Sequence, residues 1–392
     1  MISTRRIKYT NIVIQVMLIV NYPVLLFPHT DSNHDKILLM KVLGIETSCD
    51  ETAAAVVEDG ISLLSNAVAS SMELHAKYGG VIPEVAARSH IEAIMPVIQQ
   101  ALDDAHCSWE DIDAIAVTYG AGLGGSLLIG VLTARTLAIA YNKPLYAINH
   151  VEAHVYANFL TSTSLSSYTM RKAAPIFPIL AIIVSGGHSQ LVLFRDHFDY
   201  TLLGQTQDDA IGEAFDKVAK ITGLSYPGGP SIAKAALKGN NHAFNLPKAK
   251  MPEKYDFSFS GLKTAVLRQA QALIDEDYTF PSVKLPERLS EAQKADIAAT
   301  FQRIAIETIV DKALLACEEF SPASVVIAGG VAASSELRKQ LAERLPLPIE
   351  FPDLKLCTDN GAMIATLGCY KLICNQSPAD PYTLDIAPNL SM

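Results

Sequence analysis

The stretch KVLGIETSCDETAAAVVEDGISLLSNAVA, residues 41–69, holds three largely apolar segments that are separated by short polar turns. The segments are Val42 to Thr47, Ala53 to Glu58 and Ile61 to Ala69. Each has the length and composition of a β-strand, and strands joined by such short turns pair with their neighbours along the chain. The stretch therefore predicts three hairpin-linked strands.

Helical and strand patterns alternate downstream of these strands. The predicted elements are a helix from Pro83 to Ala105, a strand from Ile112 to Thr118, a helix from Ser126 to Tyr141, a strand from Leu145 to Ile148 and a helix from Asn149 to Leu160. This alternation indicates an α/β fold, because helical crossovers add further strands to the same sheet.

A low-charge segment, Thr161 to Ala174, precedes a second copy of this order. The copy comprises predicted strands at 179–185, 190–195, 200–203 and 324–328 and helices at 209–222, 230–238, 260–275, 291–319, 335–344 and from Asp359 to about Cys374. Two β-β-β-α-β-α units are the topology of the actin-like ATPase (ASKHA) fold, which binds its ligand between the halves. We expect an N-terminal subdomain at 40–160, completed by a C-terminal helix at 359–392, and a C-terminal subdomain at 175–358.

The composition is that of a globular protein, with 49% hydrophobic and 18% charged residues in 392. Six cysteines without a C-x-x-C pair suggest free thiols in a reducing compartment. The net charge of −10 argues against a generally basic nucleic-acid binder.

The first 39 residues differ from the rest. Arg5, Arg6 and Lys8 precede an interrupted apolar run from Ile12 to Phe27, which is shorter than the roughly 20 residues of a membrane helix. We expect residues 1–39 to be an extension outside the fold and dispensable for it. The protein is then cytoplasmic without a membrane segment, or mitochondrial if the extension is a presequence.

Two histidines, His150 and His154, lie four residues apart in the helix predicted from Asn149 to Leu160. Four residues make about one helical turn, so both rings leave the same face and offer two ligands to a metal ion. Glu152 lies about 200° around the helix from His150, which disfavours a metallo-endopeptidase. The alternative is that both histidines are ordinary polar residues, and a metal site needs a third ligand.

A lysine-rich segment, residues 217–268, carries nine basic and two acidic side chains on an otherwise acidic chain. Such a segment can hold a polyanion at one place on the surface. The alternative interpretation is a solvated lysine-rich face without a partner.

Four turns follow predicted strands and offer small residues with free backbone amides. They are Glu46-Thr47-Ser48, Gly120 to Gly125, Ser185-Gly186-Gly187-His188 and Gly329-Gly330-Val331. Amides in this arrangement bind phosphate or ribose. A Rossmann interpretation of Gly120 to Gly125 fails, because three hairpin strands precede it and no ribose-binding acid follows at the required distance.

A series of short motifs runs through the chain, at Gly44 to Thr52, Gly80 to Glu84, His150 to His154, Val184 to His188, Gly212 to Lys217, Tyr226 to Pro230, Phe257 to Lys263 and Cys357 to Ala362. With these motifs in this order, the chain from Met40 to about Cys374 resembles the TsaD family of tRNA adenosine threonylcarbamoyltransferases. The resemblance implies that Asp359 is the third metal ligand, beside His150 and His154. Such a set suits one divalent metal, with Fe²⁺ favoured and Zn²⁺ possible. On its own, Asp359 is equally suited to cap the last helix.

The resemblance also implies a substrate, threonylcarbamoyl-AMP, and a binding site for it. The implied contacts are Ile183, Val184, Ser185, Gly186, Gly187, Asp216, Gly229 and Ser334, which stands where the family usually has asparagine. The alternative for Asp216 is a helix-surface pair with Lys220 at i+4. A second departure from the family pattern is Ala121, which replaces a proline.

The implied reaction transfers the threonylcarbamoyl group to the exocyclic amine of the adenosine 3′ of the anticodon, in tRNAs reading codons that begin with A. The general base is not assigned, and His188 and Glu51 are weak candidates. The lysine-rich segment then predicts tRNA contacts at Lys234, Lys238, Lys248, Lys250 and Lys254. Expected protein partners are a TsaB-like paralogue and a TsaE-like P-loop ATPase. The alternative function is an actin-fold nucleotide-binding scaffold with a structural metal.

Overall fold

The computed structural model describes residues 39–76 and 78–392. The prediction for residues 1–39 therefore lies outside the described residues, apart from Leu39. Within the described part of the chain, no helix is both long and apolar enough to cross a membrane.

The first half is built on a six-stranded sheet. Its strands are β1 (Lys41–Glu46), β2 (Glu51–Glu58), β3 (Ser62–Ser70), β4 (Ala114–Gly120), β5 (Leu145–Asn149) and β6 (Ser162–Thr163), in the order β5-β4-β1-β2-β3-β6. β1, β2 and β3 pair antiparallel as the short turns predict, and β4 and β5 join in parallel after helical crossovers.

Five helices accompany this sheet. They are α1 (Met72–Ala76), α2 (Pro83–Asp104), α3 (Gly124–Ala140), α4 (His150–Tyr156) and, from the end of the chain, α11 (Gly361–Ile373). α2 and α3 cover one face and α11 and α4 the other, so the central strands are buried on both sides. α11 ends at Ile373, close to the end predicted near Cys374, because Asn375 has a left-handed backbone and Pro378 and Pro381 follow. The rest of the 359–392 segment that was expected to complete the first subdomain is therefore not helical.

The second half is built on a four-stranded sheet in the order β10-β7-β8-β9. Its strands are β7 (Ile179–Val184), β8 (Ser189–Asp196), β9 (Asp199–Gln205) and β10 (Ser324–Ala328). Its helices are α5 (Ile211–Thr222), α6 (Gly228–Ala236), α7 (Ser260–Ala272), α8 (Leu285–Arg288), α9 (Glu291–Phe320) and α10 (Ser335–Arg344). The strand order and the parallel β7–β10 pair repeat those of β3-β2-β1-β4, as the duplicated topology predicts.

Candidate metal centre

The two histidines of the sequence pattern lie on α4, which is a single buried helical stretch of seven residues. Asn149 begins the helix, since its side chain accepts hydrogen bonds from the backbone amides of Val151 and Glu152. His150 and His154 are 8% and 3% exposed, and their ring centroids lie 4.7 Å apart. The i, i+4 spacing therefore places both rings side by side, as predicted.

Asp359 reaches the same point from a distant part of the sequence. Its Oδ1 lies 3.5 Å from Nε2 of His150 and 3.3 Å from Nε2 of His154. The alternative that Asp359 caps the last helix is wrong, because the cap is Asn360, whose side chain accepts from the amide of Met363. Capping by the next residue leaves the Asp359 carboxylate free to face the histidines.

These three side chains have the chemistry of a metal site. One ligand atom from each of His150, His154 and Asp359 lies within 4.8 Å of the others. Both ring nitrogens of His154 are buried and make no hydrogen bond of good geometry. A buried nitrogen without a partner is costly, and a metal ion is a partner that satisfies it. Two imidazoles and one carboxylate fit one divalent transition metal.

The charged groups of the cluster shift one another's pKa values. Burial alone would lower the pKa of His150, but the carboxylates of Asp359 and Glu46 outweigh it and raise the pKa to about 9. Burial alone would raise the pKa of Asp359, but the charge of His150 and the contact with His154 lower it to about 2. The cluster therefore keeps its carboxylate ionised, which is the form that binds a cation.

Glu46 and Ser48 orient His150 from the opposite side of its ring. Oε2 of Glu46 and Oγ of Ser48 both lie 3.1 Å from Nδ1 of His150. Complete burial alone would raise the pKa of Glu46. The charge of His150 and the hydrogen bond that it makes with Glu46 outweigh burial and lower this pKa. An ionised carboxylate only accepts, so Nδ1 of His150 carries a proton. Since the pKa of His150 is raised to about 9, Nε2 is also protonated at neutral pH, and this proton must leave before Nε2, which faces Asp359, can bind a metal ion. The sequence marked this turn as a phosphate loop and did not reveal this role.

Glu152 takes no part in the cluster. It is 6% exposed and is not among the converging ligands, as the helix geometry predicts. Burial raises its pKa to about 7, partly countered by Lys371.

The turn after β7 lies open to solvent where the resemblance implies substrate contacts. Ile183 and Val184 are buried at the end of the strand, and Ser185 closes the turn by accepting from the amide of His188 at 3.0 Å. An added Cβ at Gly186 or Gly187 would meet no atom within 4 Å. Two small residues with open space beside them let a ligand approach the backbone closely.

Asp216 and Gly229 lie on neighbouring elements. Oδ1 of Asp216 accepts from the amide of Gly228 at 2.6 Å, and an added Cβ at Gly229 would meet open space. The alternative pair of Asp216 with Lys220 is wrong, since the described residues show no such ion pair. Burial and the charges of Asp216 and Asp50 raise the pKa of Tyr226 to about 12. Tyr226 therefore lies near acids of both halves of the fold, and only its motif, Tyr226 to Pro230, singled it out.

Ser334 has a structural task. It caps α10, because its Oγ accepts from the amide of Leu337 at 3.4 Å. An asparagine at this position can do the same, so the substitution preserves the helix start.

The two candidate general bases, His188 and Glu51, have pKa values that are shifted in opposite directions by their surroundings. Burial and the two ligand histidines lower the pKa of His188 to about 4. Burial and the charges of Asp359 and Asp50 raise the pKa of Glu51 to about 9. At neutral pH His188 is therefore unprotonated, which is its basic form, but its low pKa makes it a weak base. Glu51 is protonated and is not in its basic form.

Several lysines of the lysine-rich segment form ion pairs in the structure. Nζ of Lys248 lies 2.8 Å from carboxylate oxygens of both Glu307 and Asp311, and Lys254 pairs with Glu319. Further pairs within the described residues join Lys217 to Asp209 and Glu213, and Lys263 to Asp209. The partners come from outside the segment or from its edge, so the net charge of the segment overstates its free positive charge.

Lys234, Lys238 and Lys250 remain exposed, and the described part of the chain offers them no ion pair. These three lysines are the available cations among the five predicted.

The fold and the cluster define a class: an actin-like α/β protein with two histidines and a carboxylate gathered as a metal site. HypF from T.kodakarensis shares the fold, with a TM-score of 0.52 at 15% identity over 85% of this chain and 48% of that one. Residues 62–366 match the family model described as "TsaD: tRNA N6-adenosine threonylcarbamoyltransferase". The chain belongs to the TsaD family.

Curated relatives agree with this assignment. A tRNA N6-adenosine threonylcarbamoyltransferase of Thermomicrobium roseum is 50% identical over 84% of this chain and 92% of its own length. One of Dehalococcoides mccartyi is 46% identical over 90% of this chain and 99% of its own. The resemblance and the actin-like fold inferred from the sequence are thereby confirmed.

Proposed function

We propose that the protein transfers the threonylcarbamoyl group of threonylcarbamoyl-AMP to the exocyclic amine of the adenosine 3′ of the anticodon, in tRNAs reading codons that begin with A. The observation that carries the proposal is the convergence of His150, His154 and Asp359 in a chain of the TsaD family. Asp359 follows the two histidines by 205 residues or more in the sequence, yet all three side chains converge beside the motif loops.

One metal ion completes this proposal. His150, His154 and Asp359 would hold it. Two imidazoles and one carboxylate suit both Fe²⁺ and Zn²⁺, and Fe²⁺ is the favoured ion of this proposal. When bound, the ion supplies a Lewis acid for a carbonyl or phosphate oxygen of the substrate.

The substrate lies along Ile183, Val184, Ser185, Gly186 and Gly187, with Asp216, Gly229 and Ser334 nearby. The open space beside Gly186, Gly187 and Gly229 supports this placement, since backbone amides there can approach a phosphate. Asp216 already accepts from Gly228, and its second oxygen is suited to a ribose hydroxyl.

In the transfer, the lone pair of the adenosine amine forms a bond to the carbamoyl carbon. The bond from that carbon to the phosphate oxygen breaks, AMP leaves with the electron pair, and the amine loses a proton. This amine is a poor nucleophile, so most of the rate must come from positioning the two substrates. No general base is assigned.

The tRNA contacts belong to Lys234, Lys238 and Lys250, with Lys248 and Lys254 available only if their ion pairs open. A TsaB-like paralogue and a TsaE-like P-loop ATPase are the proposed partners, and the cytoplasm is the proposed compartment. The two sheets then represent two subdomains, 40–160 with α11 and 175–358.

The test combines the purified protein, threonylcarbamoyl-AMP and tRNA, with and without the two partners. The expected products are modified nucleoside and AMP in equal amounts. The control is His154→Ala, which removes one ligand and leaves the substrate loops intact. If wild-type protein with both partners forms neither product, the transferase proposal fails and the nucleotide-binding scaffold with a structural metal is the remaining interpretation.

A further inference from the structure

The turn between β1 and β2 is held by its carbonyl groups. Leu123 donates its amide to the carbonyl of Ser48 at 2.8 Å, and Ser71 donates its amide and hydroxyl to the carbonyl of Asp50 at 3.0 and 2.8 Å. Cys49, between them, has two donors of its own. Three successive carbonyls are therefore drawn toward the body of the protein.

His90 is one donor to Cys49. It is completely buried on α2, and its Nε2 lies 3.1 Å from the carbonyl of Cys49, while Oγ of Ser126 lies 3.3 Å from the same oxygen. A carbonyl only accepts, so Nε2 must carry the proton. Nδ1 then accepts from the hydroxyl of Thr52 at 2.8 Å. Both ring nitrogens have partners in this tautomer.

A second buried histidine supports the next carbonyl. The amide of Ile82 lies 3.2 Å from Nδ1 of His75 and can only donate, so Nε2 of His75 donates to Oγ of Ser71 at 3.1 Å. Ser71 in turn donates to Asp50. This chain of hydrogen bonds has one direction, and it connects the start of α2 with the β1–β2 turn.

The turn adjoins the metal centre on its other side. Oγ of Ser48 lies 3.1 Å from Nδ1 of His150. Because carbonyl and amide of a trans peptide point in opposite directions, fixing the carbonyls also directs the amides of the turn.

We propose that His90 is a positioning residue for the transfer reaction: it fixes the carbonyl of Cys49 and thereby the turn whose Ser48 contacts His150. His75 supports the same turn through Ser71. Neither histidine touches the cluster, so their effect passes through the turn. The kinetic part of this inference rests on the proposed function, whereas its structural part does not.

The main variant is His90→Leu, which fills the space without a donor, and the rescue variant is His90→Gln, which restores one. In His90→Leu we expect amide exchange at residues 49–51 to rise about tenfold while β4 keeps its protection. We expect kcat to fall about tenfold, with KM for tRNA and metal content unchanged. His90→Gln should recover most of kcat, and His106→Asn, at the exposed end of α2, should match wild type.

A folded His90→Leu protein with unchanged kcat and unchanged exchange at 49–51 would overturn the inference. So would equal losses of kcat in His90→Leu and His90→Gln. If His90→Leu does not fold, nitrogen chemical shifts of labelled wild-type His90 decide, because the inference requires protonation at Nε2 and a bare Nδ1. Protonation at Nδ1 would overturn it. If wild type shows no transfer, the proposed function fails, but exchange and tautomer still test the positioning role.

Discussion

The histidines of α4 and the lysines of residues 217–268 both stand out in the sequence as local enrichments of one residue type, but the fold treats them differently. His150 and His154 meet as their spacing predicts and gain Asp359. Among the lysines, Lys248 and Lys254 are paired with acids of α9. The spacing of the two histidines predicted their arrangement in the structure correctly. The positive charge of the lysine-rich segment, in contrast, is largely neutralised by ion pairs.

The difference has a physical cause. The angle between residues four apart follows from the helix itself, whatever else the chain does. The potential at a lysine depends on every charge that folding brings near it, and those charges come from any part of the sequence. A pattern within one element is therefore a stronger predictor than a sum of charges over 52 residues.

The largest effect should come from the centre itself. His150→Ala or His154→Ala removes one of the three proposed ligands, so bound metal should fall to background and transfer should be lost, while the fold remains. Elemental analysis with circular dichroism checks both points, with His242→Ala as an exposed control. Full metal content in either variant would contradict the ligand assignment.

The next effect concerns the unpaired lysines. Reversing Lys234, Lys238 and Lys250 to glutamate should weaken tRNA binding, and each lost phosphate contact should reduce the log–log salt slope by about 0.7 to 0.9. Affinity for threonylcarbamoyl-AMP should not change, because the glycine loops that we propose as its binding site contain none of these lysines.

The matched control reverses three exposed lysines elsewhere, namely Lys172, Lys284 and Lys339. It makes the same change in net charge. Equal tRNA affinity and salt slope in both triple variants would show that the lysine-rich segment is only a solvated surface.

A smaller effect tests how Asp359 is kept free. Asn360→Ala removes the cap of α11 and should cost about 1 kcal/mol of unfolding free energy. Metal affinity should also fall, because the uncapped helix no longer fixes the position of Asp359 beside the two histidines. Urea unfolding and metal titration measure the two effects, and Asn389→Ala, at an exposed asparagine, is the control. An unchanged unfolding free energy would contradict the assigned cap.

The last effect appears only in acid. His197 stacks on Tyr370 and meets the hydroxyl of Tyr156 at the end of α4, and burial lowers its pKa from 6.5 to about 4. The unfolded chain binds a proton there that the folded protein excludes, so stability is lost as the pH falls from about 6.5 to 4.

His197→Phe should therefore narrow the gap between the unfolding free energies at pH 7 and pH 4.5. His242→Phe, at an exposed histidine, should leave the gap as in wild type. The same gap in all three proteins would show that His197 does not contribute to acid sensitivity.

The three hairpin-linked strands, the duplicated order, the two-histidine face of α4 and the family were all predictable from the sequence. Each of these depends on periodicity, spacing or ordered motifs within short segments. Its element ends differ from the structure by a few residues. Three further facts required the folded structure: Asn360 and not Asp359 caps α11, Glu46 orients His150, and Lys248 and Lys254 are paired. These facts depend on which distant residues folding brings together, and no local pattern records that choice.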